Sequence, residues 1–282
     1  MVMGAVGYFC FAQASVMIIL ATWSSSPCPQ DTGQPFIDYC SEQKDPVVAT
    51  HPSLSEAFEA ICVMDAPLNT RLAAYANKLR ELNFPFAEAY DELVGRLIVG
   101  EIGTAAPKVG DAMPPFVLPA RGGQLVGLED LLQTGPVVIS FNRGHWCPFC
   151  KIELRTIARY HAEIAAIGGQ VVSIIPDRQQ FADQLHRDTN SELVILTDID
   201  NGYALSLGLV MWLGDRLKTL MKGRGHQLET YHGNDGWFVP LPATFVVGMN
   251  GRVVARHVDP EFRNRMEIDD ILAALQTTGR NK

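Results

Sequence analysis

Cysteine is sparse in this chain: there are six among 282 residues, and they are widely scattered apart from one close pair. That number and spacing argue against a small secreted scaffold held together by disulfide bonds. An excess of basic residues is also missing, since 23 Lys and Arg stand against 31 Asp and Glu, a formal net charge of −8. With no basic cluster to override it, this balance argues against nucleic acid as the main partner. The remaining composition is that of a globular protein with one substantial domain and extensions.

The first 43 residues contain no Lys or Arg, and the first basic residue of the chain is Lys44. Residues 1–23 carry no charged side chain and are mostly apolar, but they lack the basic region that begins a signal peptide. Two interpretations stay open: a membrane anchor or uncleaved signal at residues 3–23, or an unstructured or artefactual extension. Residues 24–50 are rich in Ser, Pro, Gln and Asp and indicate a linker. We expect residues 1–50 to be a poorly ordered leader and linker.

Residues 51–103 have a helical pattern and no cluster of chemically reactive side chains. Apolar residues recur at spacings of three and four from Leu68 to Leu82, and again from Phe86 to Leu97. This spacing places them on one face of a helix. We predict a helical hairpin that packs on the main domain, with its aromatic residues in the core.

The strongest indication of function is the segment Arg-Gly-His-Trp-Cys-Pro-Phe-Cys at residues 143–150. It follows the apolar residues 136–141, which predict a buried strand, and it precedes an amphipathic helix at residues 151–160. A Cys-x-x-Cys turn between a strand and a helix is the thioredoxin-like redox signature.

Cys147 is the predicted attacking thiol of this pair. At a helix N-terminus, the unpaired N–H groups and the positive end of the dipole favour a thiolate. Arg143, Lys151 and His145 add positive charge nearby, which lowers a thiol pKa from about 8.5 towards neutrality. Cys150 follows one turn later on the same face and is placed to close a disulfide with Cys147.

The pair has two other interpretations, a zinc site and inert packing. A zinc site needs a second Cys or His pair at ligand spacing, which none of the other cysteines supplies. Two buried and inert cysteines are the other alternative, although a strand-to-helix turn is an exposed place for them.

The rest of the chain, after a boundary at residues 104–113, alternates strands and helices. The predicted elements are a hairpin about residues 121–123, strands at 137–141, 170–176 and 193–196, a hairpin about Asn250-Gly251 and a closing helix at 267–275. Asp177 is predicted to cap the helix after the second strand. We predict an α/β, thioredoxin-like fold over residues 104–282, with a central mixed sheet flanked by helices and a helical extension at 51–103. Residues 207–237 form an irregular insertion, and their apolar residues indicate a surface or substrate-facing helix.

From about Pro107 to Leu275 the sequence resembles the peroxiredoxin-like branch of the thioredoxin superfamily, the group related to alkyl hydroperoxide reductase and thiol-specific antioxidant proteins. The resemblance rests on the opening segment at 107–116, on the motif at 143–150 and on Pro242 before Ala243-Thr244. It implies that Cys147 is the peroxidatic cysteine and that a cis bond precedes Pro242, opposite the cysteine. The substrate-binding residues that it implies are Gly144, Trp146, Pro242 and Thr244.

The sequence also departs from the pattern of that family. Typical members place a proline seven residues before the attacking cysteine and a threonine or serine three before it, where this chain has Ser140 and Gly144. Their active-site arginine falls here on Pro242. Arg143 is the candidate replacement, with a solvated strand-end arginine as the alternative. His145 is either an assisting group or a surface residue.

Three functions remain open at this point. The resemblance implies a thiol peroxidase in which Cys147 becomes a sulfenic acid and Cys150 resolves it to a disulfide. The motif Trp-Cys-Pro-Phe-Cys and the missing threonine and arginine are closer to a thioredoxin-like disulfide oxidoreductase. A redox sensor without turnover, in which the pair switches a surface, is the third.

The resemblance also implies the partners. The substrate is a hydroperoxide, and the reductant is a donor of the thioredoxin or glutaredoxin type. No metal ion, haem or other cofactor is required. A homodimer is the default for the family. A cycling dithiol favours the cytoplasm, with membrane contact only if residues 3–23 are an anchor.

Overall fold

The computed structural model describes residues 52–82, 84–189 and 193–278. The chain divides into two units at residues 1–43 and 44–282. The first unit, with the apolar segment considered above as an anchor, lies outside the described residues. Within the described ranges, no helix combines the length and the apolar character that crossing a bilayer requires.

The order of helices and strands follows the predicted alternation. The helices are α1 (Pro52–Val63), α2 (Leu68–Glu81), α3 (Phe86–Val99), α4 (Leu128–Thr134), α5 (Pro148–Arg159), α6 (His161–Ala166), α7 (Gln179–Thr189), α8 (Gly202–Ser206), α9 (Asp215–Lys222), α10 (Leu228–His232) and α11 (Ile268–Thr278). The strands are β1 (Val117–Pro119), β2 (Leu125–Gly127), β3 (Val137–Phe141), β4 (Gln170–Ile175), β5 (Val194–Thr197), β6 (Val210–Trp212), β7 (Phe238–Pro240), β8 (Ala243–Val247) and β9 (Val253–Val258).

The central sheet has five strands in the order β5-β4-β3-β8-β9. Strands β3, β4 and β5 are parallel to one another. Strand β8 runs antiparallel to β3, and β9 runs antiparallel to β8. Ile139 at the centre of β3 pairs with Val172 on one side and Phe245 on the other. The predicted mixed sheet is therefore confirmed, as are the hairpin at β1–β2 and the turn that joins β8 to β9 at Asn250-Gly251.

Strand β3 is buried on both faces, and its alternate residues enter two apolar clusters. Ile139 and Phe141 belong to the larger cluster, which also contains the buried side chains of α2 and α3. Val138 belongs to the second, with Leu275 of α11. Because successive side chains of a strand point to opposite faces, helices cover both sides of the sheet.

The N-terminal helices confirm the two predicted apolar stripes, which are the buried faces of α2 and α3, and α1 precedes them. The rings of Tyr75 and Tyr90 make edge contacts with Phe149 of α5, at 5.2 and 6.0 Å between centroids. The carboxylate of Glu267 accepts hydrogen bonds from the N–H groups of Leu68 and Asn69 at 2.9 and 2.8 Å. It thereby satisfies donors that the start of α2 leaves unpaired, and it ties the extension to the start of α11.

Two predictions about this part of the chain were wrong. The bond before Pro242 is trans, like every other peptide bond of the described residues. The chain runs in extended form from β7 into β8, and the N–H of Leu241 between them donates to the carbonyl of Leu209. In the insertion, Met211 and Trp212 lie in β6, which pairs with β7, so the predicted helix begins only at Asp215.

Candidate active site

The turn between β3 and α5 carries the Cys-x-x-Cys pair. The N–H of Asn142 donates to Ile174 of β4 and continues the ladder one residue beyond β3. Gly144 then adopts a φ of 129°, a value that side chains disfavour. A Cβ atom at this position would lie 2.7 Å from a carboxylate oxygen of Asp177. A side chain at position 144 would collide with the buried carboxylate of Asp177. This close approach explains why the chain has glycine where typical family members have a threonine or serine.

Cys147 is the N-cap of α5, as predicted, and Pro148 is the first helical residue. Its Sγ accepts hydrogen bonds from Nε and Nη2 of Arg143 at 3.3 and 3.1 Å, and from the N–H of Cys150 at 3.3 Å. The Cys150 Sγ lies 2.7 Å from it, and both thiols are free. Both cysteines are fully buried, so the expected exposure of this turn was wrong.

Several charged and polar groups stabilise the thiolate of Cys147. Burial alone would raise its pKa, but hydrogen bonds from Cys150 and the charges of Arg143 and Arg265 outweigh burial and lower that pKa to about 5. Burial and the adjacent sulfur raise the pKa of Cys150 well above its ordinary value. The pair therefore divides into a thiolate and a protonated partner, and the predicted attack by Cys147 stays a prediction.

Arg143 is a buried residue, not a solvated one. Its Cζ lies 4.3 Å from the ring centroid of Phe262 and between 5.4 and 5.5 Å from those of Trp146 and Tyr90. These rings hold the guanidinium through cation–π contacts. Its Nη1 is buried and forms no hydrogen bond within the described residues, and the Tyr90 side chain interacts with the same guanidinium. Two donors of Arg143 thus face the sulfur and a third stands ready for another acceptor.

Of the three positive groups predicted near the sulfur, only Arg143 bonds to it. Lys151 forms an ion pair with Asp188, and His145 bonds to Asp177. The second cation that lowers the pKa of Cys147 is Arg265, which is far along the chain.

A buried polar layer lies beneath the pair. Glu153 of α5 accepts a 2.8 Å hydrogen bond from Nε of Arg265, and its other oxygen lies 3.2 Å from the Ser140 hydroxyl and 3.4 Å from that of Thr244. The amide of Asn142 donates to Ser140 at 2.8 Å. Burial raises the pKa of Glu153 above its ordinary value, against the opposing charge of Arg265. Ser140 is thus a member of this layer, at the position where typical family members have proline.

His145 has a defined orientation. Its backbone N–H and its Nδ1 lie 2.7 and 2.9 Å from the same carboxylate oxygen of Asp177, whose second oxygen lies 3.3 Å from Nε2 of His232. The imidazole of His145 stacks on Phe181, with the edge of Tyr231 against it. Burial would raise the pKa of Asp177, but the hydrogen bonds of the two imidazoles lower it to about 2. The prediction that Asp177 caps α7 was wrong, because its carboxylate turns towards these rings.

A pocket of about 590 Å³ opens beside the motif. His145, Trp146 and Pro148, the neighbours of Cys147, form part of its wall. The other walls come from α1, α2 and α3 and from Met221 to Tyr231 in the insertion. Because Nδ1 of His145 is bonded to Asp177, Nε2 is the ring nitrogen that is left for the pocket.

The remaining predicted substrate-binding residues do not line this pocket. Thr244 is buried in β8 beside Glu153, and Pro242 precedes that strand. Their roles stay predictions, as does that of Gly144. Sequence reasoning missed Asp177 as a partner of the motif, together with His232, Arg265 and the aromatic residues around Arg143. Of these residues, only Asp177 gave a signal in the sequence, because it directly follows the strand predicted at residues 170–176, which neighbours β3.

Comparison with known proteins connects this geometry to a family. The AhpC/TSA family model matches residues 109–256. A search of curated proteins gives no match.

Solved structures with a similar fold include peroxidoxin BcpB of Mycobacterium tuberculosis, with 22% identity over 61% of this chain and 97% of that one, at a TM-score of 0.47. Reduced Prx3 of Vibrio vulnificus in complex with hydrogen peroxide is 20% identical over 60% of this chain and 98% of that one, at a TM-score of 0.48. Peroxiredoxin Q of Xanthomonas campestris is 17% identical over 58% of this chain and 91% of that one, at a TM-score of 0.44. Because the family match spans more than half of the 282 residues, the chain belongs to the AhpC/TSA family, the peroxiredoxin-like branch of the thioredoxin superfamily that its motif predicted.

Proposed function

We propose that this protein is a thiol-dependent peroxidase in which Cys147 attacks a hydroperoxide and Cys150 resolves the product. The observation that carries the proposal is the arrangement of Arg143, which donates twice to the Cys147 sulfur and keeps Nη1 unpaired in the same buried space. A preorganised donor at the point where negative charge develops is the largest common source of catalysis. Family membership supports the same chemistry.

The proposed first step is an attack of the Cys147 thiolate on the terminal oxygen of the hydroperoxide. The S–O bond forms as the O–O bond breaks, so the sulfur is oxidised to sulfenic acid and the peroxide is reduced to an alkoxide or hydroxide. Nη1 of Arg143 stabilises the negative charge on the oxygens in the transition state. The leaving oxygen then takes a proton and departs as alcohol or water. His145 lines the pocket and is held by Asp177 through Nδ1, and its Nε2 is the proposed donor of that proton when the ring carries both protons.

In the second step the Cys150 thiol condenses with the sulfenic acid, and one water leaves as the disulfide forms. The two sulfurs are 2.7 Å apart, so the backbone need not move for this reaction. A dithiol donor of the thioredoxin or glutaredoxin type then reduces the disulfide by thiol exchange and is itself oxidised. Such recycling suits a reducing compartment, and we place the protein in the cytoplasm.

A thioredoxin-like disulfide oxidoreductase is the second candidate, and the spacing of Cys147 and Cys150 favours it as much as a peroxidase. Burial of the two cysteines does not separate the candidates, because recycling of the peroxidase also requires thiol exchange at the same buried pair. Membership of the AhpC/TSA family and the two donors that Arg143 directs at the Cys147 sulfur support the peroxidase. The peroxidase is therefore the better supported of the two.

Stopped-flow oxidation of the reduced protein by hydrogen peroxide tests the proposal. We expect oxidation orders of magnitude faster than that of a free thiol, lost in Cys147→Ser and arrested at sulfenic acid in Cys150→Ser, where dimedone labelling and mass spectrometry detect it. Cys62→Ser is the matched control, because Cys62 is also buried and free but burial raises its pKa. Oxidation no faster than that of free cysteine, together with rapid exchange against a disulfide, would favour the second candidate.

A further inference from the structure

Nearly half of the residues that line the pocket beside Cys147 come from a part of the chain that the family match does not cover. Leu54, Phe58, Tyr75, Phe84 and Tyr90 form one wall, and all of them precede residue 109, where the match begins. The N-terminal helices therefore supply a binding surface next to the reactive sulfur. Hydrogen peroxide does not require a surface of this extent, whereas pockets of this size commonly enclose the larger part of a small organic molecule.

The lining combines apolar and aromatic residues with several charged groups, and nearly all of the charged groups are paired. Arg155 forms an ion pair with Glu59, and Lys151 forms one with Asp188. Within each of these pairs the charges cancel. The remaining basic ring, His226, is neutral at neutral pH, because burial and nearby positive charges lower its pKa to about 4.

Arg224 is the exception. It lines the pocket from the turn after α9, and its guanidinium Cζ lies 4.2 Å from the ring centroid of Phe84. No carboxylate within the described parts of the chain pairs with it. An arginine held over an aromatic ring keeps its N–H groups free for a carboxylate, which it binds through two parallel hydrogen bonds. The pocket thus combines an apolar interior with one uncompensated positive charge.

We propose that this pocket binds an apolar organic acid, with its carboxylate on Arg224, and that the substrate at Cys147 is the hydroperoxide of such an acid. The second half of this inference rests on the proposed peroxidase function. The apolar body fills the space between the N-terminal helices and the insertion. The hydroperoxide group lies towards His145 and Trp146, the lining residues next to Cys147, and it reaches the buried sulfur when this part of the wall moves aside.

Calorimetric titration of the full-length reduced protein with the hydroxy derivative of linoleic acid tests the ligand class without turnover. We expect the acid to bind about tenfold more weakly to Arg224→Gln, and Arg224→Lys to recover part of the affinity. The methyl ester of the same compound should bind equally to all these proteins. Arg252→Gln is the matched control, because Arg252 lies after the β8–β9 turn, at the end of the sheet opposite the site.

Stopped-flow oxidation by linoleic acid hydroperoxide, cumene hydroperoxide and hydrogen peroxide then tests the substrate. We expect Arg224→Gln to slow the first reaction about tenfold more than it slows the other two, and Arg252→Gln to change none of the three rates. Equal affinity for acid and ester, or no binding, would overturn the inference even if hydrogen peroxide oxidises Cys147 rapidly. Acid binding that depends on Arg224, with no rapid oxidation by any hydroperoxide, would support the ligand class and overturn the peroxidase function.

Discussion

Arg143 and Cys147 form a buried pair in which Nε and Nη2 of the guanidinium both donate to the sulfur, at 3.3 and 3.1 Å. Both donors come from one planar group that three aromatic rings hold in place. The sulfur therefore has a cation of fixed orientation that stabilises the thiolate and, in the proposed reaction, the charge that develops on a bound oxygen.

The first prediction concerns this pair. Arg143→Lys keeps a positive charge but removes the planar donor set, so we expect the pKa of Cys147 to rise and its rate of oxidation by hydrogen peroxide to fall by a factor of about 100. Thiolate absorbance as a function of pH, with stopped-flow oxidation, measures both quantities. Arg252→Lys serves as the control. An unchanged pKa in Arg143→Lys would show that the helix N-terminus alone stabilises the thiolate.

The second prediction is the pH dependence of the wild-type protein. Only the thiolate attacks, and the pKa of Cys147 is lowered to about 5. The rate constant for oxidation should therefore be constant from neutral pH down to about pH 6 and fall tenfold per unit below about pH 5. Rapid-mixing measurements over this range determine it. A midpoint near that of free cysteine would contradict the arrangement around the sulfur.

The third prediction concerns Asp177, whose pKa is about 2 in the folded protein against about 3.9 in an unfolded chain. A carboxylate with a lowered pKa stabilises the fold above its unfolded pKa, and this stability is lost as the pH falls through the folded pKa. Between about pH 5 and pH 2, the stability advantage of the wild type over Asp177→Asn should shrink by roughly 2 kcal/mol. Urea unfolding at a series of pH values measures it, and a constant difference would contradict the prediction.

The fourth prediction concerns the buried ion pair of Glu153 and Arg265. Glu153→Gln leaves the Arg265 charge without its partner, so we expect a loss of about 3 kcal/mol in the free energy of unfolding. The double variant Glu153→Gln/Arg265→Met removes both charges and should be more stable than Glu153→Gln alone. Denaturant unfolding of the two single variants and the double variant gives the coupling energy. Simple additivity of the two losses would show that the groups act independently.

The fold follows largely from local patterns. The apolar runs of β3, β4 and β5, the Asn250-Gly251 turn and the stripes of α2 and α3 are all visible within short windows of sequence. The position of Cys147 at a helix start is equally local, because the strand, the Cys-x-x-Cys turn and the helix adjoin one another. Periodicity and turn chemistry are sufficient for such features.

The surroundings of the sulfur do not follow in this way, because they come from distant segments. Asp177 resembles a helix cap in its own neighbourhood, and only the folded chain places it against His145. Arg265 and Phe262 reach the site from the segment between β9 and α11. Such contacts depend on packing, and a single sequence does not encode packing in any short pattern.

The complete burial of both sulfurs has a consequence for turnover. In the proposed cycle, a dithiol donor must bring its own sulfur into contact with the disulfide, which no protein surface can do while the pocket walls stay in place. That cycle then includes an opening of those walls, and we expect this step to limit the steady-state rate once peroxide is abundant. On this proposal an oxidised molecule persists for as long as the opening takes, and the speed of wall motion would set the fraction of the protein that is oxidised during peroxide stress.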